Sequence, residues 1–321
     1  MGTAIAANPD RQQGPHHSRD NARMQPEHRL RIAQALIFVT PALWSANYIA
    51  ARTSVGVLEP HMLAFLRWLV AFCVMLPIAW PALRRAPRAW RREWKQMTVL
   101  GALGMWICGA FVYIGGQTTV AVNIGLLYAI SPVMVAALSA PLFGERLTPA
   151  QVLGIALALT GTVTVIAKGS VANILAVQFT RGDLGVVAAM LSWTAYALLL
   201  RRWSSALDTF ARLTVTTFFG LLVLLPFTIA EGLAYGWPTP SWQAAGLVLV
   251  VALLPGLGAY QCYAYMQREL GTSHASLSLY LGPLYAAGVS WLLLGERPGW
   301  YHAVGALLIL PGIWLATRRA R

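Results

Sequence analysis

Arg67 stands alone in the middle of an apolar run, about seven residues beyond Pro60 and so on the order of 10 Å along a helix axis. A charge at that depth in a membrane is expensive and reads first as a gate or a substrate contact, although a long arginine can also snorkel to the nearer interface. The other polar side chains inside apolar segments are Asn47, Gln117, Asn123, Ser131, Gln261, His274 and Ser278. Such groups hydrogen-bond a ligand or a neighbouring helix. Catalysis within a membrane would need a nucleophile, a base and an orienting group that converge. His274 is nearly alone, and no Asp or Glu falls inside an expected helix core, so the reading is not an enzyme. Cys73, Cys108 and Cys262 lie far apart in apolar segments. They suit neither a disulfide framework nor a metal site, so neither a metal nor a cofactor is expected.

Aromatic side chains are the second resource. Trp44, Trp106, Tyr113, Tyr128, Trp193, Tyr196, Tyr260, Tyr263, Tyr265 and Tyr280 lie away from the expected loops. Trp90, Trp94, Trp237, Trp242 and Trp300 fit an interfacial belt instead. Trp106, Ala110, Tyr113 and Gln117 share one stripe at helical spacing. That mixture of size and polarity suits a cavity wall better than a lipid-facing surface.

These residues need a membrane scaffold to position them. The 321 residues are 57% hydrophobic and 11% charged, against about 25% charged in ordinary soluble domains. Apolar runs long enough to cross a bilayer follow one another near 32–51, 61–80, 97–116, 119–143, 149–167, 184–200, 210–230, 241–266, 272–294 and 300–317. The fifth has a clear start signal in Thr148, Pro149 and Gln151. Residues 1–28, including the pair His16-His17, read as a disordered cytoplasmic tail without a removable signal peptide. The net charge of +13 does not imply nucleic acid, because the basic residues cluster between the apolar runs. With the tail inside, 19 of the 24 Lys and Arg fall on inner segments and 4 outside, Arg67 being the remaining one. Both termini are therefore expected in the cytoplasm.

The stretch 126–161 returns as 277–312, with 12 identities over 36 ungapped positions, among them Pro132/Pro283 and Gly144-Glu145-Arg146/Gly295-Glu296-Arg297. Upstream, Trp44-Ser45-Ala46-Asn47 parallels Trp193-Thr194-Ala195-Tyr196. Five helices separate equivalent positions, so the halves must run antiparallel across the membrane. Pro132 and Pro283 read as symmetric kinks, either gating hinges or static bends. The two Glu-Arg pairs read as caps and interfacial anchors.

Taken together, Tyr263-Ala264-Tyr265, Gly271 through Ser276, Pro283, Gly295-Glu296-Arg297 and Gly305…Gly312 resemble the second EamA repeat of the drug/metabolite transporter superfamily. Trp44…Asn47…Arg52, Pro60, Arg67 and the Pro132 to Arg146 stretch resemble the first. The resemblance spans about 32–317. It implies an all-α integral membrane fold of ten transmembrane helices, with two inverted five-helix repeats (32–168 and 183–317) around a central cavity. The sequence departs from the family pattern at Ser131 and Gly282, where an acidic residue often precedes the helix proline.

The expected activity is secondary transport by alternating access, with no Walker A loop to supply ATP. Trp44, Asn47, Trp106, Tyr113, Tyr128, Ser131, Trp193, Tyr196, Tyr260, Tyr263, His274 and Tyr280 are the candidate substrate residues, and Pro132, Pro283 and Arg67 the candidate gate. Such walls solvate an apolar or aromatic side chain and offer a few hydrogen bonds. They suit small neutral or zwitterionic metabolites, most of all amino acids, aromatic ones included. Export of lipophilic cations is the alternative, and it would call for a membrane-embedded carboxylate. The small-molecule substrate and the lipid bilayer are the expected partners, in a monomer or homodimer of the bacterial inner membrane.

Overall fold

The structure is a computed structural model that describes residues 26–54, 56–119, 121–144, 147–294 and 297–317. The tail through residue 25, with His16 and His17, and the pairs Glu145-Arg146 and Gly295-Glu296 lie outside the described residues.

All ten expected spans are helical. They are α1 (Pro26–Thr53), α2 (Pro60–Arg85), α3 (Trp94–Gly116), α4 (Ala121–Ala129 then Ser131–Phe143), α5 (Pro149–Ile166), α6 (Arg181–Arg202), α7 (Thr209–Tyr235), α8 (Trp242–Leu270), α9 (272–294) and α10 (Trp300–Thr317). Eight of them, all but α1 and α9, are long and apolar enough by length and composition to cross a membrane. No strand occurs among the described residues. Exposed Ile78, Leu233, Leu292, Leu307 and Trp314 lie on the perimeter, as a lipid solvent permits and water does not. The helix α1 starts earlier than expected, at Pro26, where a proline at the first position and Glu27 in the first turn favour initiation. At α5 the capping box forms as read: Thr148 accepts from the Gln151 N–H at 3.3 Å, and Gln151 accepts from the Thr148 N–H at 2.9 Å.

The packing of α5 against α10 displays the inversion of the two repeats. A Cβ added to Gly154 would lie 2.5 Å from the Gly312 carbonyl oxygen, and one on Gly161 would lie 2.8 Å from that of Gly305. Gly154 and Gly161 correspond in the repeat to Gly305 and Gly312, so each glycine meets the partner of the other. Only a two-fold axis across antiparallel helices makes such a reciprocal pairing. Backbones come this close only where no side chain intervenes. The other contacts obey the same exchange, with α1 against α8, its counterpart α6 against α3, and α2 against α7.

The helices that border the centre are irregular, in matched pairs. The helices α3 and α8 pass through π-helical segments at Ala102–Ile107 and Ala252–Ala259. In α4 the break falls at Ile130, and α9 runs through the 3-10 turn Leu277–Leu281. Pro132 and Pro283 are each the second residue of the segment that follows, Ser131–Phe143 and Gly282–Leu294. The expected mid-helix kinks are therefore helix starts, where a missing N–H costs little.

Candidate functional site

Equivalent residues that touch each other must lie near the symmetry axis, and Trp44 and Trp193 do. Their rings meet edge to face at 5.2 Å, with Trp44 half-buried and Trp193 buried. Tyr263 tilts against Trp193 at 4.9 Å, Tyr196 stacks on it at 5.5 Å and Tyr260 meets it edge-on at 5.5 Å. Five of the candidate substrate residues thus converge on one aromatic cluster fed by α1, α6 and α8. The indole Nε1 of Trp193 is buried with no hydrogen-bond partner among the described residues.

The π-helical turn of α3 borders this cluster. Its Gly104 and Leu103 carbonyls accept from the Tyr260 hydroxyl and the Ser192 hydroxyl, each at 2.8 Å, so α8 and α6 are tied to α3 across the repeats. A π turn also changes helical phase. Trp106, inside that turn, stacks on Phe227 of α7 at 4.1 Å. Tyr113, beyond it, hydrogen-bonds Asn47 at 3.0 Å, and Gln117 is exposed. The stripe drawn through these residues at regular spacing is therefore not one wall.

Arg67 is buried, its exposure only 3%. One of its amino groups, Nη1, donates to Tyr113 at 3.1 Å and to Asn47 at 3.4 Å, and the guanidinium lies 4.8 Å from the Trp68 ring centroid. Arginine, tyrosine and asparagine from α2, α3 and α1 form one polar cluster beside the aromatic one.

The remaining candidates are dispersed. Ser131 hydrogen-bonds Thr194 at 3.1 Å and joins α4 to α6. The Tyr128 hydroxyl lies 3.8 Å from the Cys108 sulfur. Tyr280 is buried, with its backbone carbonyl accepting from Thr162 of α5 at 3.2 Å. His274, in the short first segment of α9, lies 3.4 Å from Gln151.

Two carboxylates were missed by the sequence reading. Expected boundaries at 184 and 230 left Asp183 and Glu231 just outside α6 and α7, and the structure places both within them. Asp183 is only 2% exposed. It accepts from the Thr119 hydroxyl, from Asn123 at 3.1 Å to each oxygen, and from the Thr180 N–H. The Thr180-to-Asp183 spacing of a capping box was the available signal. Glu231 accepts from the His61 N–H at 3.1 Å, the Met62 N–H at 2.8 Å and His61 Nδ1 at 2.9 Å. A side chain of α7 thereby caps α2.

Two crevices open at the end of the molecule that carries the α1–α2, α3–α4 and α7–α8 connections. One of about 250 Å³ is bounded by Glu59, Met62, Glu231, Tyr235 and Trp237, and the other, about 50 Å³, by Ser54, Leu58, Glu59, Tyr113 and Gln117. Tyr113, a member of the Arg67 cluster, lines the narrower one.

Residues 31–167 and 180–318 each match the EamA-like transporter family. The chain belongs to that family. This EamA chain is a multi-pass membrane transporter of small molecules. It is 26% identical over 288 residues to an uncharacterized transporter of Archaeoglobus fulgidus, with 88% of this chain and 96% of that one covered. A probable terminal-alkyne amino-acid exporter of Streptantibioticus cattleyicolor is 28% identical over 283 residues, covering 88% and 92%. An S-adenosylmethionine/S-adenosylhomocysteine transporter of Chlamydia trachomatis is 23% identical over 285 residues, covering 85% and 86%. A solved crystal structure superposes with a TM-score of 0.69 at 22% identity, over 88% of this chain and 96% of the other, and that likeness bears on the fold.

Proposed function

We propose that this transporter exports neutral or zwitterionic amino acids by alternating access, with aromatic ones slightly favoured. The observation that carries the reading is the cluster of Trp44, Trp193, Tyr196, Tyr260 and Tyr263 at the contact between the repeats. Sites in inverted-repeat transporters form at that contact. Aromatic faces solvate an apolar side chain, and Trp193 Nε1 offers an unmet donor. The two carboxylates described within α6 and α7, Asp183 and Glu231, already accept from Thr119, Asn123, Thr180, His61 and Met62, which disfavours their pairing a lipophilic cation. The relative named as an amino-acid exporter agrees with this choice.

Proteoliposomes holding the purified protein should exchange labelled tryptophan, phenylalanine and threonine. Exchange of nucleotide sugars, triose phosphates or S-adenosylmethionine with no response to these amino acids would overturn the proposal.

We also propose a bacterial inner membrane as its location with both termini in the cytoplasm, an orientation supported by the excess of Lys and Arg on the expected inner segments. In a cysteine-free variant, Ala176→Cys should react with an impermeant maleimide added outside spheroplasts, and Arg88→Cys should not. The opposite labelling would reverse the orientation and turn the same cycle into uptake. The reading covers a monomer or a homodimer alike, since each chain carries a whole aromatic cluster.

A further inference from the structure

We infer that Arg67, Trp68 and the gap beside Gly109 form a carboxylate-binding subsite, so that the transporter selects substrates that carry a carboxylate. This rests on the interior being the substrate path, as proposed above, and names the group that path recognises.

A guanidinium has five N–H donors. Among the described residues only Nη1 of Arg67 is engaged, by Tyr113 and Asn47. The edge formed by Nε and Nη2 faces no acceptor among the described residues, and Nε is fully buried. That edge is the fork that takes a carboxylate through two parallel hydrogen bonds. Next to it, the indole Nε1 of Trp68 is also buried without an acceptor, in a side chain of 0% exposure. Arg67 Nη2 and Trp68 Nε1 each lie 3.5 Å from the point where a Cβ on Gly109 would sit. Glycine therefore leaves a carbon-sized gap onto which two idle donors converge, bounded also by the Gly104 carbonyl oxygen at 3.8 Å, which already accepts from the Tyr260 hydroxyl.

Charge points to the same ligand. A buried cation without a counter-ion is costly. The carboxylates Asp183 and Glu231 are held elsewhere, and no described Asp or Glu pairs with Arg67. The partners it does have, Asn47, Tyr113 and the Trp68 face, are all neutral. They orient the cation and leave its charge uncompensated. A carboxylate in the gap would neutralise it, accept from Nε and Nη2, and take the Trp68 N–H as a further donor. Tyr113, which accepts from Arg67 Nη1, also lines the narrower crevice at one end of the molecule. Phosphate fits less well, since a single guanidinium would have to balance up to two charges.

The test uses wild-type protein first. In proteoliposomes exchanging labelled phenylalanine, 3-phenylpropionate, which lacks the amine, should compete. Phenethylamine and phenylalaninamide, which lack the carboxylate, should compete at least about ten-fold less well, the effect of losing a charge-assisted hydrogen-bond pair. Equal competition by the amide would overturn the subsite and leave amino-acid transport standing. If no amino acid is exchanged, the readout becomes thermal stabilisation of detergent-solubilised protein by 3-phenylpropionate, benzoate and octanoate against the matching amines. Stabilisation by the acids alone would keep the subsite while the proposed function falls, and stabilisation by neither would remove both.

Gly109→Ala supplies a variant that alters no charge. Its methyl would make ordinary contacts with Arg67 and Trp68, so folding should be retained, while it occupies the place of the carboxylate. Phenylalanine affinity should fall about ten-fold or more, and Arg67→Lys, which keeps the charge but loses the fork, should show a similar loss. An unchanged affinity in well-folded Gly109→Ala would place the carboxylate elsewhere.

Discussion

Asp183→Ala is expected to lower the yield of folded transporter sharply and to reduce its thermal midpoint more than any other single polar substitution. The carboxylate gathers Thr119 from the α3–α4 connection, Asn123 from α4 and the Thr180 N–H from the start of its own helix. It is the knot that joins the end of the first repeat's α3–α4 pair to the second repeat. Alanine would leave the Thr119 hydroxyl shielded without its carboxylate and Asn123 with only the Gln178 carbonyl, at 3.0 Å, to donate to. Hydrogen bonds to a charged group contribute about 1.5–3 kcal/mol each, and the place near the membrane surface softens the loss, so a total of about 2–4 kcal/mol is expected. Asp183→Asn keeps the shape and one acceptor and should fall between the two. Size-exclusion profiles after graded heating give the comparison. An alanine variant that melts with the wild type would show that this knot holds nothing.

Replacing both Pro132 and Pro283 with alanine should reduce turnover about ten-fold or more while substrate affinity stays within a factor of about two, as for a change confined to a conformational step. Each proline opens the helical segment just beyond a break, at Ile130 in one repeat and at Leu277–Leu281 in the other. Alanine restores an N–H and lets the helix continue through the break, which removes the place where the two segments can pivot. The stability of the double variant should be unchanged or higher, which separates it from Asp183→Ala. Turnover equal to wild type in both single variants and the double one would make these breaks static.

The ten spans were legible because a bilayer imposes a length and an apolar content on every crossing. The repeat was legible because Gly, Pro, Glu and Arg are informative in a chain of Leu and Ala. What hydropathy could not show was the inward face of each helix. In water a helix contrasts one apolar face with a polar one, but here lipid and protein solvate the same side chains, and the contrast disappears. Hence the sequence marks Trp44, Trp193 and Tyr263 as candidate substrate residues, and their mutual contact emerges only from the fold. The regular spacing assumed for α3 missed the π turn at Ala102–Ile107, so Trp106 was placed with Tyr113 rather than against Phe227. Asp183 escaped because the expected start at 184 fell three residues after the observed one at Arg181. At a helix terminus that small difference separates a surface carboxylate from a shielded one.

The glycine seam between α5 and α10 implies something about how such a chain can be assembled. Gly154 meets Gly312 and Gly161 meets Gly305, so the surface the first half offers is the surface it receives. A self-complementary patch of this kind needs no covalent link between its two sides. A half-length chain inserted in both orientations would already own the interface that here joins 149–166 to 300–317. The segment between the halves therefore settles stoichiometry and pairing, one copy of each orientation in every molecule, and the recognition itself is written twice into the helices.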